Sequence, residues 1–173
     1  MNPTTALLII DIQNDYFPGG AFELWNAEAT LDRIEAAVHK AQACQIPVIL
    51  VQHVAKAGKG PAPFFNAGTA GVALHPRMLA AAPGAPVVIK QSADSFHDTN
   101  LDALLSQLGI KRLLVCGMMT QNCVAFTATS KPAEKYAVQI VSDCCTTVSE
   151  MLHLIALSGV STRIPLLSSA EAF

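Results

Sequence analysis

Apolar runs of strand length, without polar alternation, recur at residues 6–10, 47–51, 86–89, 112–116 and 137–141, with a weaker run at 161–167. Segments of helical length lie between them. Leu31, Ile34, Val38 and Ala41 repeat at helical spacing, as do Val148, Leu152 and Ile155. Strands that look buried on both faces and are separated by helices indicate a parallel sheet covered on each side. The pattern predicts an α/β protein: a three-layer α/β/α, Rossmann-like fold around a mainly parallel sheet of about six strands, with residues 1–173 forming one domain.

The longest stretch without periodicity is 54–72, where Gly58, Gly60, Pro61, Pro63, Gly68 and Gly71 surround the pair Phe64-Phe65. It reads as a loop. Loops of this length in a small domain are usually functional, and two adjacent aromatics fit either a lid or an oligomer contact. The alanine-rich stretch 79–86 reads as a helix end and a turn.

Composition narrows the partners. The chain is 51% hydrophobic and only 14% charged, which excludes a disordered chain and suggests that self-association, as dimer or tetramer, covers some apolar surface. Lys and Arg total 11 against 13 Asp and Glu, with no basic cluster, so neither nucleic acid nor an anionic membrane is an expected partner. A small molecule is. No apolar stretch is long enough to cross a bilayer, and Met1-Asn2-Pro3-Thr4-Thr5 brings no positive charge or cleavage site ahead of the first apolar run. Five cysteines, an odd number without metal-ligand spacing, fit a reducing cytoplasm.

In open parallel sheets ligands bind beyond the carboxyl ends of the strands, so polar residues where apolar runs stop are the first candidates. Asp11 ends the first run, Lys90 ends Val87-Val88-Ile89, and Cys123 follows Val115-Cys116 through Gly117. An acid can accept a thiol proton, a lysine can offset negative charge, and a thiolate can attack an electrophilic carbon. Each also has a plainer reading: Asp11 caps the Gln13-Asn14-Asp15 turn, Lys90 is a solvated strand end, and Cys123 is core packing. With Thr120 as N-cap, Cys123 would be the third helical residue, where backbone N–H groups and the helix dipole favour thiolate.

Three segments together resemble the isochorismatase-like cysteine hydrolases, which include nicotinamidases, N-carbamoyl-amine amidohydrolases and isochorismatases. They are Asp11-Ile12-Gln13-Asn14-Asp15-Tyr16-Phe17 with Pro18-Gly19-Gly20, the stretch from Lys90-Gln91-Ser92 through Asp94-Ser95-Phe96 to Thr99-Asn100-Leu101, and Gly117-Met118-Met119-Thr120-Gln121-Asn122-Cys123-Val124. The resemblance implies a triad of Asp11, Lys90 and Cys123. It also implies a non-proline cis peptide between Met118 and Met119, with the N–H groups of Met119 and Cys123 as oxyanion hole. The chemistry implied is hydrolysis of a C–N bond in a small amide, carbamoyl or ureido compound through a thioester.

Departures from the family pattern bear on the subclass. Nicotinamidases carry an aspartate two residues before a metal-binding histidine, whereas His53 follows Val51-Gln52. No catalytic metal or other cofactor is expected, and His53 and His75 read as hydrogen-bonded structural groups. Isochorismatases cleave a vinyl ether without needing the thiol, so the retained cysteine favours C–N hydrolysis. Arginine occurs at 33, 77, 112 and 163, outside the three motifs, leaving Lys56 and Lys59 as the nearby cations for a carboxylate. Gln13, Phe17, Phe64, Phe65 and Met119 are candidate substrate-binding walls. Pro132 should end or kink the segment after Cys123, and Cys144-Cys145 read as packing. The alternatives are vinyl ether hydrolysis, a thiol redox protein pairing Cys123 with Cys116 or Cys144, and a noncatalytic binding protein.

Overall fold

Thr5–Ile10 forms β1, buried at every position because strands lie along both its edges and helices cover its faces. The computed structural model describes residues 4–56, 58 and 60–173. The remaining strands are β2 (Val48–His53), β3 (Val87–Lys90), β4 (Arg112–Met118), β5 (Ala137–Thr146) and β6 (Leu166–Leu167). All pair in parallel, in the order β3-β2-β1-β4-β5-β6. Helices α1 (Ala27–Ala43), α2 (Pro76–Ala81), α3 (Leu101–Gln107), α4 (Ala125–Ala128), α5 (Glu150–Val160) and α6 (Ser169–Ala172) complete the expected three-layer α/β/α fold.

Helix α1 buries the predicted stripe of Leu31, Ile34, Val38 and Ala41. Truncating Leu31 to alanine there would cost about 2–5 kcal/mol in lost transfer energy and cavity. The apolar pattern was less informative at the other end of the chain. Only Leu166–Leu167 of the run 161–167 is strand, because the chain is still leaving α5 at Ser161, whose N–H donates to the Leu157 carbonyl. Ser149 caps α5 by accepting the Leu152 N–H, which leaves Val148 ahead of the helix and exposed, and Ile155 is exposed as well. Among the described residues no helix is long and apolar enough to cross a membrane.

The order of strands positions the site. From β1 the chain steps outward to β2 and β3, then returns to lay β4 on the other side of β1. The crossovers therefore diverge between β1 and β4, the place where parallel sheets open a crevice at their carboxyl edge. Contact between these two strands is unusually close at Gly117: its φ is 121°, and a Cβ there would lie 2.1 Å from the Ile10 carbonyl oxygen. Any side chain would push β4 off β1.

Candidate active site

Asp11 is the first residue after β1, held in the left-handed region at φ 56° with its N–H bonded to the Val51 carbonyl at 3.0 Å. Few non-glycine residues adopt that conformation, though aspartate does so more readily than most. Lys90 is the last residue of β3, two strands from β1. Adjacent strands are about 4.8 Å apart, so only a long side chain on β3 can reach the β1 edge. Cys123 lies beyond the end of β4, and the Met118–Met119 peptide bond in between is cis, as the resemblance implied.

The helix expected after β4 starts differently from the prediction. Met119, not Thr120, flanks its first turn, and Thr120–Val124 is a wide π-type turn in which the Val124 N–H reaches back to the Met119 carbonyl at 3.3 Å. Cys123 is thus the fourth residue of that turn. The Thr120 hydroxyl is engaged elsewhere, in a 2.8 Å hydrogen bond with His153 Nδ1 on α5. Helix α4 is over by Ala128, before Pro132, which sits in a short 3-10 turn at Lys131–Lys135.

The three side chains meet. Lys90 Nζ donates to Asp11 Oδ2 at 2.9 Å and to Cys123 Sγ at 3.2 Å, and all three residues are at most 2% exposed. A third contact was not anticipated: Lys90 Nζ also lies 2.9 Å from Nδ1 of half-buried His53. Asp11 Oδ1 is buried and has no hydrogen-bond partner among the described residues, so one carboxylate oxygen is free to accept a proton.

Burial and charge act on these groups in opposite senses. Burial lowers the pKa of Lys90, but Asp11 and Cys123 outweigh it and raise the value above the usual lysine range, so the ammonium is kept. Burial, then the Asp11 carboxylate, push the Cys123 thiol up, with Lys90 opposing. The resting sulfur is a thiol. This corrects the expectation that the helix terminus would favour thiolate, because desolvation in so enclosed a site exceeds what backbone dipoles return. His53 is lowered by burial and by Lys90, against Asp11, and so stays neutral.

Ligand atoms of Asp11, His53 and Cys123 lie within 4.8 Å of one another, a spacing that a metal ion can bridge. Lys90 Nζ bonds all three. A cation placed among them would meet the ammonium, so the donor set is matched to the protein's own positive charge. His75 stands apart from this cluster, accepting the Arg77 N–H at Nδ1 to cap α2 and packing on Phe17 with ring centroids 4.3 Å apart.

The candidate walls fall into two groups. Gln13 is fully buried and its amide is spent on backbone: Nε2 donates to the carbonyls of His53 and Val72, and Oε1 accepts the His53 N–H. It secures the end of β2 and has no proton left for a ligand. Phe65 is buried in its own chain, 4.6 Å from the Tyr16 ring and 5.8 Å from His53, while Phe64 packs between Tyr16 and Phe22 at 5.4 and 4.7 Å. The aromatic pair thus seats its own part of the loop on the protein beside His53. Met119 is buried next to the cis peptide, and Phe17 is buried against His75. Lys56 lines a cleft of about 490 Å³ with Gln91, Ser92 and His97, and Lys59 lies outside the described residues.

A three-layer α/β fold with a buried carboxylate, ammonium and thiol gathered at one edge of its sheet belongs with the cysteine hydrolases that the motifs resemble. The isochorismatase domain model matches residues 5–171, and the chain belongs to the isochorismatase family. It is 34% identical to the isochorismatase family protein YddQ of Bacillus subtilis, with 98% of each chain covered. Similarity to the ureidoacrylate amidohydrolase RutB of Methylobacterium radiotolerans is 27% identity over 98% of this chain and 78% of the relative. The crystal structure of an isochorismatase family protein from Desulfovibrio vulgaris superposes with a TM-score of 0.84 at 28% identity, covering 96% of this chain and 95% of the other. Relatives in the family include hydrolases, amidohydrolases among them.

Proposed function

We propose that the protein is a cysteine-dependent hydrolase of a C–N bond in a small amide, carbamoyl or ureido compound, with Asp11, Lys90 and Cys123 as catalytic residues. The observation that carries this is the buried Lys90 ammonium, bonded at once to a carboxylate and to a thiol. Asp11 accepts the Cys123 proton as the sulfur attacks the carbonyl carbon. Negative charge on the carbonyl oxygen is met by the N–H groups of Met119 and Cys123. Asp11 then passes the proton to the departing nitrogen, the C–N bond breaks, and a thioester remains. Water gives a proton to Asp11 and adds to the thioester. Collapse expels the sulfur, which recovers its proton, and the acid product leaves. Lys90 stays charged throughout and lowers the energy of each anionic stage.

Met119, Phe17, Phe64 and Phe65 supply apolar walls on this reading, and no metal takes part. The relative that acts on ureidoacrylate supports a ureido or carbamoyl substrate. Cys44, Cys116, Cys123, Cys144 and Cys145 are all free thiols, which suits a reducing cytoplasm. A redox partnership of Cys123 with Cys116 or Cys144 is disfavoured, since burial pushes both of those thiols up, Cys144 to about 12.

The test is ammonia or amine release from a panel of primary amides, N-carbamoyl compounds and ureides. Turnover that survives chelation and disappears in Cys123→Ala supports the reading. Turnover that persists in Cys123→Ala, or an inactive native chain across the panel, overturns it.

A further inference from the structure

His53 and Lys90 are register partners at the ends of β2 and β3, so their side chains leave the sheet on the same face. An ammonium has three protons and no acceptor. For Lys90, whose side chain is fully buried, two of them are directed at Asp11 Oδ2 and Cys123 Sγ and the third at His53 Nδ1. Since Lys90 can only donate, Nδ1 must accept, which places the ring proton on Nε2. The imidazole is fixed from behind by Gln13, whose amide brackets the His53 backbone with two 2.8 Å hydrogen bonds. The groups facing the ring are Lys90 from β3, Asp11 from the end of β1, Cys123 from the turn after β4 and the Phe65 ring from the 54–72 segment.

We propose that His53 is a positioning residue: by taking the third ammonium proton it holds the other two on Asp11 and Cys123 at the same time. This rests on Asp11, Lys90 and Cys123 being the reacting set. Three acceptors define one tetrahedral position for Nζ. With only two, the ammonium can turn toward the stronger acceptor, the carboxylate, and the 3.2 Å contact to sulfur, the weakest acceptor of the three, is lost first. His53 therefore acts on the thiol through Lys90 without touching the substrate.

The experiment is a double-mutant cycle on Cys123 reactivity. Iodoacetamide is the probe, in a chain carrying Cys44→Ser to remove the exposed thiol, with alkylation read on the peptide that contains Cys123. His53→Ala is expected to slow alkylation about tenfold, equivalent to one unit of thiol pKa. Lys90→Ala slows it at least as much, and adding His53→Ala to Lys90→Ala has no further effect. His53→Gln, which restores an acceptor, recovers most of the rate. On a substrate from the amide panel, His53→Ala lowers kcat with KM little changed.

Additive effects of the two substitutions, or an unaffected rate in His53→Ala, overturn the proposal. Where Lys90→Ala fails to fold, ring-nitrogen NMR of the native chain decides: an Nε2–H imidazole with an accepting Nδ1 supports the assignment, and an Nδ1–H ring overturns it. Absence of amide turnover together with an intact non-additive cycle refutes the hydrolase reading and leaves His53 in its role. Turnover with additive effects does the reverse.

Discussion

The backbone N–H of Phe65 donates to Asp15 Oδ2 at 2.7 Å, joining the 54–72 segment to the turn after β1 across fifty residues of chain. The other carboxylate oxygen accepts the Ala21 N–H at 3.1 Å, and Gly71 passes so close that a Cβ there would lie 1.9 Å from Asp15 Oδ1. One buried side chain thus anchors two loops. Asp15→Ala is expected to cost about 1–3 kcal/mol, because it leaves buried backbone donors without an acceptor. Limited proteolysis should then cut within 54–72 faster than in the native chain, and denaturant unfolding gives the loss directly. Unchanged stability and unchanged cleavage would refute the anchor.

Lys90 and Asp11 form an ion pair with no solvent exposure of either side chain. Removing one charge strands the other. Lys90→Met should therefore destabilise the fold by about 3–5 kcal/mol as well as abolish turnover. Adding Asp11→Asn should restore much of the stability and none of the activity, measured by chemical denaturation beside the amide assay. Equal instability of the single and double variants would count against the pair.

Acid should weaken the fold through its histidines. His53, His75 and His153 all have pKa values lowered chiefly by burial. Below about pH 6.5 the unfolded chain binds protons at these positions while the folded one resists, so stability is full above that pH and is lost as pH falls through the folded values. Tm at pH 5 is expected to lie several degrees under Tm at pH 7.5. His153→Gln removes one of the three sites and should flatten the decline. A decline of unchanged slope would remove His153 from this account.

Met151, Leu154 and Ile155 on α5 are spaced as one helical face and are all exposed. The face they make has no charge of its own, so it can meet its image across a twofold axis without like-charge opposition. A second copy of this chain is the expected occupant. Sedimentation should give a dimer for the native chain and a monomer for Ile155→Glu with its fold intact. A native monomer would refute the contact.

The sheet was legible in the sequence because a strand buried on both faces, such as β1, becomes a continuous apolar run; the run Val87-Val88-Ile89 marks a strand too, but edge strand β3 buries only one face and leaves Val87 and Ile89 exposed. Strand ends then pointed to Asp11, Lys90 and Cys123 without further help. What escaped depends on relationships that the sequence does not carry. His53 reads as a hydrogen-bonded group, which it is, but the identity of its partner, Lys90, follows only from parallel register between β2 and β3. Gln13 read as a pocket wall because its backbone partners, His53 and Val72, are 40 and 59 residues away. Thr120 read as an N-cap because its hydrogen bond goes to His153 on another helix. The period of Val148, Leu152 and Ile155 marked a helix correctly while two of the three residues face outward, since apolar periodicity does not say what covers the face. Helix α3 leaves no periodic signature, since its seven residues are too few to establish one.

Because β1 and β4 are neighbours in the sheet but lie about a hundred residues apart in sequence, the Cys123 thiol meets its partners late. During synthesis Asp11 and Lys90 emerge well ahead of Cys123, which gains their company only when β4 docks on β1. Until then it is an ordinary solvated thiol without carboxylate or ammonium beside it, so the site exists only once the sheet has closed around it.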